Sequence, residues 1–490
     1  MQKAVVIGAG LGGLAIAARL VARGWQVTVC ERNGQPGGRA QYEVRDGYVF
    51  DRGPSVLTGP WMLDAIWALF NERRRDDLKL LPVDPSYHFI FPDGHDFYLS
   101  RDPVFMRKEV ERVAPSNLEG WERYRQHVIG FWEGTVRSVM KTPMLNLCDL
   151  LRFTPGMVAG GGFLSMNALV ERYLEDPYLI RALRFHPTFV GASCWAPGSA
   201  IYSAMQGLEW EEGVSFPAGG MNALVKALED LAARHGVEFR YNCEVKQLKL
   251  DRHKVTGVEL ANGEMLSSDV VISNADAAFT YEKLVPEYAQ RFCTSRYFDN
   301  ASYSTGLFVW YFGTKTQYPE VSHHSVIFGD DVPGGWQCEG PVRFDTFTYL
   351  HRPTASDPSL APPGCDTFYA LRAVPNLSGI VDWQTEADDQ RRILMNLLDG
   401  GVLPGLRDNI AVDWWATPRL FRTDLQTLYG AGFGLAPTLF QSALFRPHPK
   451  SDAIKGLYLV GEGTHPGPGI PAVLSSAEIV DALLNPGVSK

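Results

Sequence analysis

Gly8, Gly10 and Gly13 stand in the spacing G-x-G-x-x-G within AVVIGAGLGGLAIAARL, Ala4 to Leu20. That spacing serves phosphate chemistry. The first glycine makes a tight turn, the second lets a pyrophosphate reach the backbone, and the third lets a helix pack closely on a strand. Leu11 and Gly12 belong to the same turn, whose free N–H groups would receive the phosphates at the positive end of a helix. WQVTVCER (Trp25 to Arg32) ends in Glu31, 23 residues past Gly8, where an acid can hold the ribose hydroxyls of an adenosine. A second glycine pair, Gly37 and Gly38, lies between Arg32 and Arg39, and guanidinium forks suit the far side of a diphosphate. GYVFDRGPSVL adds Asp51-x-Gly53-Pro54, followed by Ser55. At the other end, Gly461-Glu462-Gly463-Thr464-His465-Pro466-Gly467 follows an apolar strand, and Gly469, Ile470 and Pro471 open a helix.

Residues that could move a proton are few. Asp149 and Arg152 are spaced i, i+3 in the apolar stretch Pro143 to Met166, so a helix would put them on one face. They read either as a structural ion pair or as a cavity-lining acid whose charge Arg152 sets, and they are the candidate catalytic residues. His186, in FHPTFVG, reads as a hydrogen-bonded core imidazole, and His465 as a residue that shapes its loop. No G-x-S-x-G and no H-E-x-x-H occurs, and no metal site is expected.

The elements that must position these residues are legible from periodicity. Ala4 to Ile7 is a short buried strand, Leu14 to Leu20 helical, and Trp25 to Arg32 a second strand. MNALVKALEDLAARHG is a helix with a glycine stop. Val237 to Asp276 reads as successive strands with an Asn262-Gly263 hairpin turn. STGLFVWYFG and DTFYALRAVP read as strands of a half-covered sheet flooring a cavity.

Composition sets the outer limits. With 490 residues and 45% hydrophobic content, two or three domains are expected. A net charge of −9 gives no basic field for nucleic acid. The seven cysteines (30, 148, 194, 243, 293, 338 and 365) form no C-x-x-C, which fits reduced thiols in a cytosolic setting. The first strand starts at the fourth residue, so no signal peptide is expected. No apolar run reaches membrane-spanning length. Pro143 to Met166 could lie on a membrane surface, line a cavity or sit in the core.

Taken together, G-x-G-x-x-G, then E-R-x-x-x-x-G-G-R, then D-x-G-P resemble the N-terminal FAD signature of the amine oxidase and phytoene desaturase superfamily. Gly456 to Val480 resembles the C-terminal FAD motif of bacterial and fungal carotenoid desaturases. GVSFPAGGMNALVKAL and QSALFRPHP are similar to the same group. One position departs. Glu462 stands where phytoene desaturases often carry alanine, and is similar to the amine oxidase style, in which an acid binds the ribityl chain.

The resemblance implies an α/β fold: a discontinuous Rossmann-like FAD-binding domain with an inserted α+β substrate domain, in the amine oxidase (glutathione reductase-type) architecture. FAD-binding segments would span 1–64, 213–285 and 427–490, with a helical substrate or membrane-facing segment at 65–212 and a substrate-domain sheet at 286–426. The implied FAD contacts are Gly8, Gly10, Leu11, Gly12, Gly13, Glu31, Arg32, Gly38, Arg39, Gly53, Pro54, Ser55, Val245, Gly461, Glu462, Gly469, Ile470 and Pro471. Val245 would pass the adenine through its backbone.

The implied activity is FAD-dependent carotenoid desaturation, by successive two-electron dehydrogenation of phytoene or a related C30 or C40 polyene toward lycopene-like products. Its partners would be the apolar polyene, a membrane surface, and quinone or oxygen as electron acceptor. No nucleic acid is implied, and homo-oligomerisation stays open. The expected location is cytoplasmic and peripheral on the inner or plasma membrane. The alternatives are a flavin amine oxidase acting on a polar substrate, a carotenoid saturase or later-step dehydrogenase, and a non-enzymatic escort of prenylated clients.

Overall fold

The computed structural model describes residues 1–192, 198–290, 292–329 and 347–487, with the side chains of 292–295 left aside. Two sheets organise it. The first is parallel and five-stranded, in the order Leu457–Leu459, Val270–Ser273, Lys3–Ile7, Gln26–Cys30, Glu238–Arg240. Its strands come from distant parts of the chain. Alternation along Lys3–Ile7 decides what covers each face. Ala4 and Val6 pack beneath the helices Leu11–Ala22, Met221–Arg234 and Ile470–Leu484. Val5 and Ile7 pack against the antiparallel strands Val245–Asp251 and Lys254–Leu260. Both faces are therefore buried, as a parallel sheet requires. The first and last helices are tied by Arg23, which donates to Asp481 at 3.2 and 3.3 Å. Asp51 anchors Met221–Arg234 by accepting the Met221 N–H at 3.0 Å, and burial raises its carboxyl to about 7.

The helix after the glycine turn begins at Leu11, three residues before the apolar periodicity suggests, because Gly12 and Gly13 are helical. At Gly13 a Cβ would lie 2.0 Å from the Gly8 carbonyl oxygen, so strand and helix approach as closely as backbone allows.

The second sheet has seven strands in the order Ile410–Ala416, Gly306–Thr314, Asp366–Val374, Phe347–His351, His324–Phe328, Tyr87–Ile90, Asp96–Leu99. Neighbours are antiparallel except His324–Phe328 with Tyr87–Ile90. Leu307, Val309 and Tyr311 face a large internal cavity. Phe308, Trp310 and Phe312 point the other way, against the helix Glu386–Asp399 through Leu394 and Leu398. The expectation of a half-covered sheet is thus corrected. All nine residues of Gly306–Thr314 are buried, because a helix occupies the face that would otherwise be wet.

Helices drawn from residues 103–212 cover the cavity side of this sheet, among them Leu118–Phe131 and Ser203–Glu212. The stretch Pro143 to Met166, left open between surface, cavity and core, contains the helix Leu147–Ala159, none of whose residues is buried. No helix among the described residues is long and apolar enough to cross a membrane. Cys30, Cys148, Cys243 and Cys365 are free thiols. Cys194 and Cys338, and the side chain of Cys293, lie outside the described residues.

The packing at Gly13 has a measurable consequence. Gly13→Ala forces overpacking costing about 1–3 kcal/mol and lowers Tm. Gly130→Ala is the control: it is helical with nothing within 4 Å of the added methyl, and helix propensity makes it stabilising by up to about 1 kcal/mol. Thermal unfolding of the two flavin-free variants checks both signs.

Candidate active site

One cavity of about 520 Å3 runs between the two sheets. One end is built from glycine turns. Gly8 has φ +93° and Gly461 φ +95°, and the side chain of Asn274 is wedged between their loops. A Cβ on Gly10 would meet Asn274 Nδ2 at 2.6 Å, and one on Gly12 or Gly461 would meet its Oδ1 at 2.6 or 2.8 Å. Two helices open onto this end with no side-chain cap, Leu11–Ala22 after Gly10 and Ile470–Leu484 after Gly469. Neither has an acidic residue in its first turn. Their unpaired N–H groups offer two sites for negative charge on one ligand.

The side chains around these turns are prepared in the same sense. Glu31 is buried, and its carboxylate accepts from Ala9 N at 2.8 Å and Asn33 N at 2.9 Å. That leaves lone pairs for hydroxyl donors. Arg39 is ion-paired with Glu462 through Nη1. Its Nε and Nη2, and Oε1 of Glu462, are buried without a protein partner. Buried polar atoms left unmade are costly, so the pair is shaped for a polar ligand that supplies both acceptors and donors. Gly53 lies under Arg39, where a Cβ would sit 1.8 Å from the Arg39 carbonyl oxygen. Val245, at the start of its strand, is buried and lines the cavity beside Glu31. Asp276 caps the following turn through Phe279 N, and burial beside Glu462 lifts its carboxyl to about 6.

Of the residues expected to touch FAD, all but Gly13 line this cavity, and Gly13 packs beneath it. Two expectations change in detail. Arg32 was expected at the diphosphate together with Arg39, but its guanidinium donates to the carbonyls of Thr423 (2.8 Å) and Asp424. The Ser55 hydroxyl is committed to Tyr349 Oη (2.7 Å) and Tyr369 Oη (2.8 Å) on the second sheet.

The candidate catalytic pair is corrected outright. Asp149 accepts from Leu145 N (3.0 Å) and Asn146 N (3.3 Å) and completes a capping box with Asn146 at the head of Leu147–Ala159. Arg152 is exposed on the same helix, its guanidinium 5.4 Å above the Phe153 ring. Neither lines the cavity. The i, i+3 spacing reports neither a catalytic pair nor an ion pair: Asp149 bonds Asn146 at the helix start, and Arg152 lies over Phe153.

Three contributors carry no recognisable spacing of their own. Asn274 directly follows the strand Val270–Ser273. Arg446, within QSALFRPHP, is buried and donates to the Glu462 carbonyl at 2.7 and 3.1 Å. Glu209 lies in the far half of the cavity among Phe185, Phe189, Met205 and Tyr349. Tyr87 Oη and His186 Nε2 each meet its carboxylate at 2.9 Å. His186 is fully buried, in keeping with its reading as a hydrogen-bonded core residue. His465 bonds the Val139 carbonyl at 3.1 Å, and burial lowers it to about 4. His323, His324 and His351 cluster within 4.8 Å. Burial lowers the pKa of all three.

A parallel sheet carrying a glycine turn, two uncapped helix ends, a ribose-type acid and an Arg–Glu pair with free polar atoms defines a protein built to hold a dinucleotide cofactor. The family model for flavin containing amine oxidoreductases matches residues 11–480. The neurosporene-forming phytoene desaturase of Rhodobacter capsulatus is 38% identical over 493 residues, covering 99% of this chain and 94% of that protein. The lycopene-forming phytoene desaturase of Pseudescherichia vulneris is 37% identical, with 99% of each chain covered. Putrescine oxidase, in a structure from a redesign of its cofactor binding, shares the fold with a TM-score of 0.66 at 12% identity, covering 99% and 98% of the two chains. The chain belongs to the flavin containing amine oxidoreductases and, within them, to the carotenoid desaturases.

When bound, FAD supplies a two-electron hydride acceptor. The residues that would hold it are those of the glycine turns, Glu31, Arg39, Glu462 and the two helix ends. Removing the guanidinium removes charge-assisted bonds worth about 1.5–3 kcal/mol each. Arg39→Leu should therefore purify with about a tenth or less of the wild-type flavin absorbance per chain, and Arg39→Lys should recover part of it. Full flavin content in Arg39→Leu would remove Arg39 from the cofactor site.

Proposed function

We propose that the protein desaturates phytoene, or a related C30 or C40 polyene, in successive two-electron steps, passing electrons to oxygen or a quinone. The carrying observation is the contrast between the two ends of the cavity. The cofactor end offers bare backbone and unpartnered polar atoms. The other end is walled by Phe185, Phe189, Leu307, Val309, Phe347 and Leu371. Two tyrosine hydroxyls in that wall, those of Tyr349 and Tyr369, are already bonded to Ser55, so these residues present ring faces to a ligand. A hydrocarbon has nothing to hydrogen-bond, and its affinity comes from apolar area removed from water, about 25 cal/mol per Å2.

Such a substrate is dissolved in lipid, and the surface fits that source. Leu147, Leu151 and Val158 of Leu147–Ala159 are 59, 58 and 63% exposed, and the neighbouring Phe163, Leu439, Phe440 and Phe445 are 50, 50, 75 and 43% exposed. The helix packs against Ala443–Phe445. Through Met157 it rests on the cluster of Trp132, Val136 and Leu208 that lines the cavity. An apolar patch of this size marks an interaction surface. Lying in a membrane interface, it would bring the bilayer to the cavity wall. The reading is a peripheral enzyme on the cytoplasmic face of a membrane.

Expression in cells that accumulate phytoene tests the activity: coloured polyenes with added conjugated double bonds are expected, and peroxide release with amines instead of pigment would overturn the reading. Docking is tested separately. Leu151→Glu combined with Phe440→Glu should lower liposome binding at least about tenfold, since each buried side chain contributes about 1.5–3 kcal/mol, with flavin content unchanged. Undiminished binding would clear this patch of a membrane role.

A further inference from the structure

We infer that Glu209 is the catalytic base of the desaturation, the carboxylate that takes the proton from the carbon beside the one that loses hydride. The inference rests on the desaturase reading above and adds a residue to it. Elimination leads to it first. The carboxylates lining the cavity, among the described residues, are Glu31, Glu209, Glu244, Asp276, Asp424 and Glu462. Glu31, Asp276 and Glu462 stand at the glycine turns. Asp424 is paired with Arg52 at 3.0 Å. Glu244 is exposed beside Val245. Glu209 alone of the six stands in the apolar half, where the polyene would lie.

Its surroundings then fix what it can do. Glu209 is 3% exposed, and His186, Gln206, Tyr87 and Tyr124 are at 0%. Gln206 Nε2 donates to the Leu183 carbonyl at 2.6 Å, which identifies that atom as the amide nitrogen. Its second hydrogen therefore faces His186 Nδ1 at 3.0 Å, so Nδ1 is the acceptor. The proton of the neutral ring is then on Nε2 and is donated to Glu209 Oε2. Tyr124 Oη holds the other end of the amide by donating to Gln206 Oε1 at 2.5 Å. Tyr87 Oη donates to Glu209 Oε1, and burial with the Glu209 charge pushes the Tyr87 pKa well up, which keeps it a donor. The network orients the carboxylate with two donors, and each carboxylate oxygen keeps a lone pair. It contains no cation to neutralise the carboxylate. An unneutralised anion in an apolar wall stabilises positive charge developing on a nearby carbon.

The step balances on these groups. One C–H bond breaks with both electrons leaving as hydride to the cofactor. The neighbouring C–H bond breaks with its proton passing to Glu209, and its electron pair becomes the new C=C bond. Glu209 gives up that proton when the acceptor, oxygen or quinone, takes two electrons and two protons from the site.

The test uses flavin-loaded enzyme, Glu209→Gln, and two ligands read by flavin fluorescence: a polyene hydrocarbon and an isoprenoid amine whose ammonium mimics the cationic carbon. Glu209→Gln should bind the hydrocarbon within about threefold of wild type. It should bind the amine at least about 30-fold more weakly, as loss of an opposite charge in a poorly screened site predicts. Anaerobic flavin bleaching by the polyene should slow by about 10²–10⁴, the range for a lost general base. Unchanged amine affinity and unchanged bleaching would overturn the inference. If Glu209→Gln fails to hold flavin, Glu209→Asp decides: it keeps the charge but retracts it, so bleaching at least about tenfold slower with normal hydrocarbon affinity supports the role, and wild-type rates overturn it. A wild-type protein that binds no polyene overturns the desaturase reading, and this inference with it.

Discussion

The structure depends on one constraint: a doubly charged diphosphate has to be brought against bare backbone. Three stretches far apart in sequence, around Gly10, Asn274 and Gly461, meet where there is no room for a single added methyl group. Side chains there would hold the phosphates away from the helix N–H groups that stabilise them. The sheet order, which inserts Lys3–Ile7 between Val270–Ser273 and Gln26–Cys30, delivers these loops to one edge. The Asn274 amide fills the gap that the two glycine-bearing turns leave.

Polar and apolar requirements are separated along the cavity. At the cofactor end, buried polar atoms are left without protein partners, on Arg39 and Glu462. At the substrate end, Ser55, Tyr349 and Tyr369 satisfy one another. The consequence is a pocket that selects by length and shape. One methylene is worth only about 1–3 kcal/mol in such a pocket, so related chains differ little in affinity, and which bond reacts depends on how far a chain slides in. A single fixed carboxylate in the apolar wall supplies the positional reference that dispersion contacts lack.

Legibility in the sequence followed how local each constraint is. The glycine turn, Glu31, Gly53 and the Gly469–Pro471 helix start act within a few residues of backbone, so their spacing carries the information. Asp149 misled for the same reason: a capping box and a catalytic i, i+3 pair look alike in one dimension. Glu209 left no spacing to find. Its partners Tyr87 and His186 come from a strand and a short turn that only the tertiary fold brings together. The second covered face of Gly306–Thr314 was also out of view, since nine consecutive apolar or small residues do not say what packs on each side.

The discontinuous sheet has a bearing on biogenesis. During synthesis the N-terminal glycine turn emerges first, yet the sheet edge beside Val270–Ser273 stays unpaired until Leu457–Leu459 appears. The helix that packs on Leu11–Ala22 is later still. Until then the nascent chain exposes an open strand edge and an apolar helix face, the features that drive misassembly in slow, non-local folds. The interval closes when Leu457–Leu459 and the last helix dock, and a ligand that binds only the finished fold, as FAD would, stabilises that state by mass action.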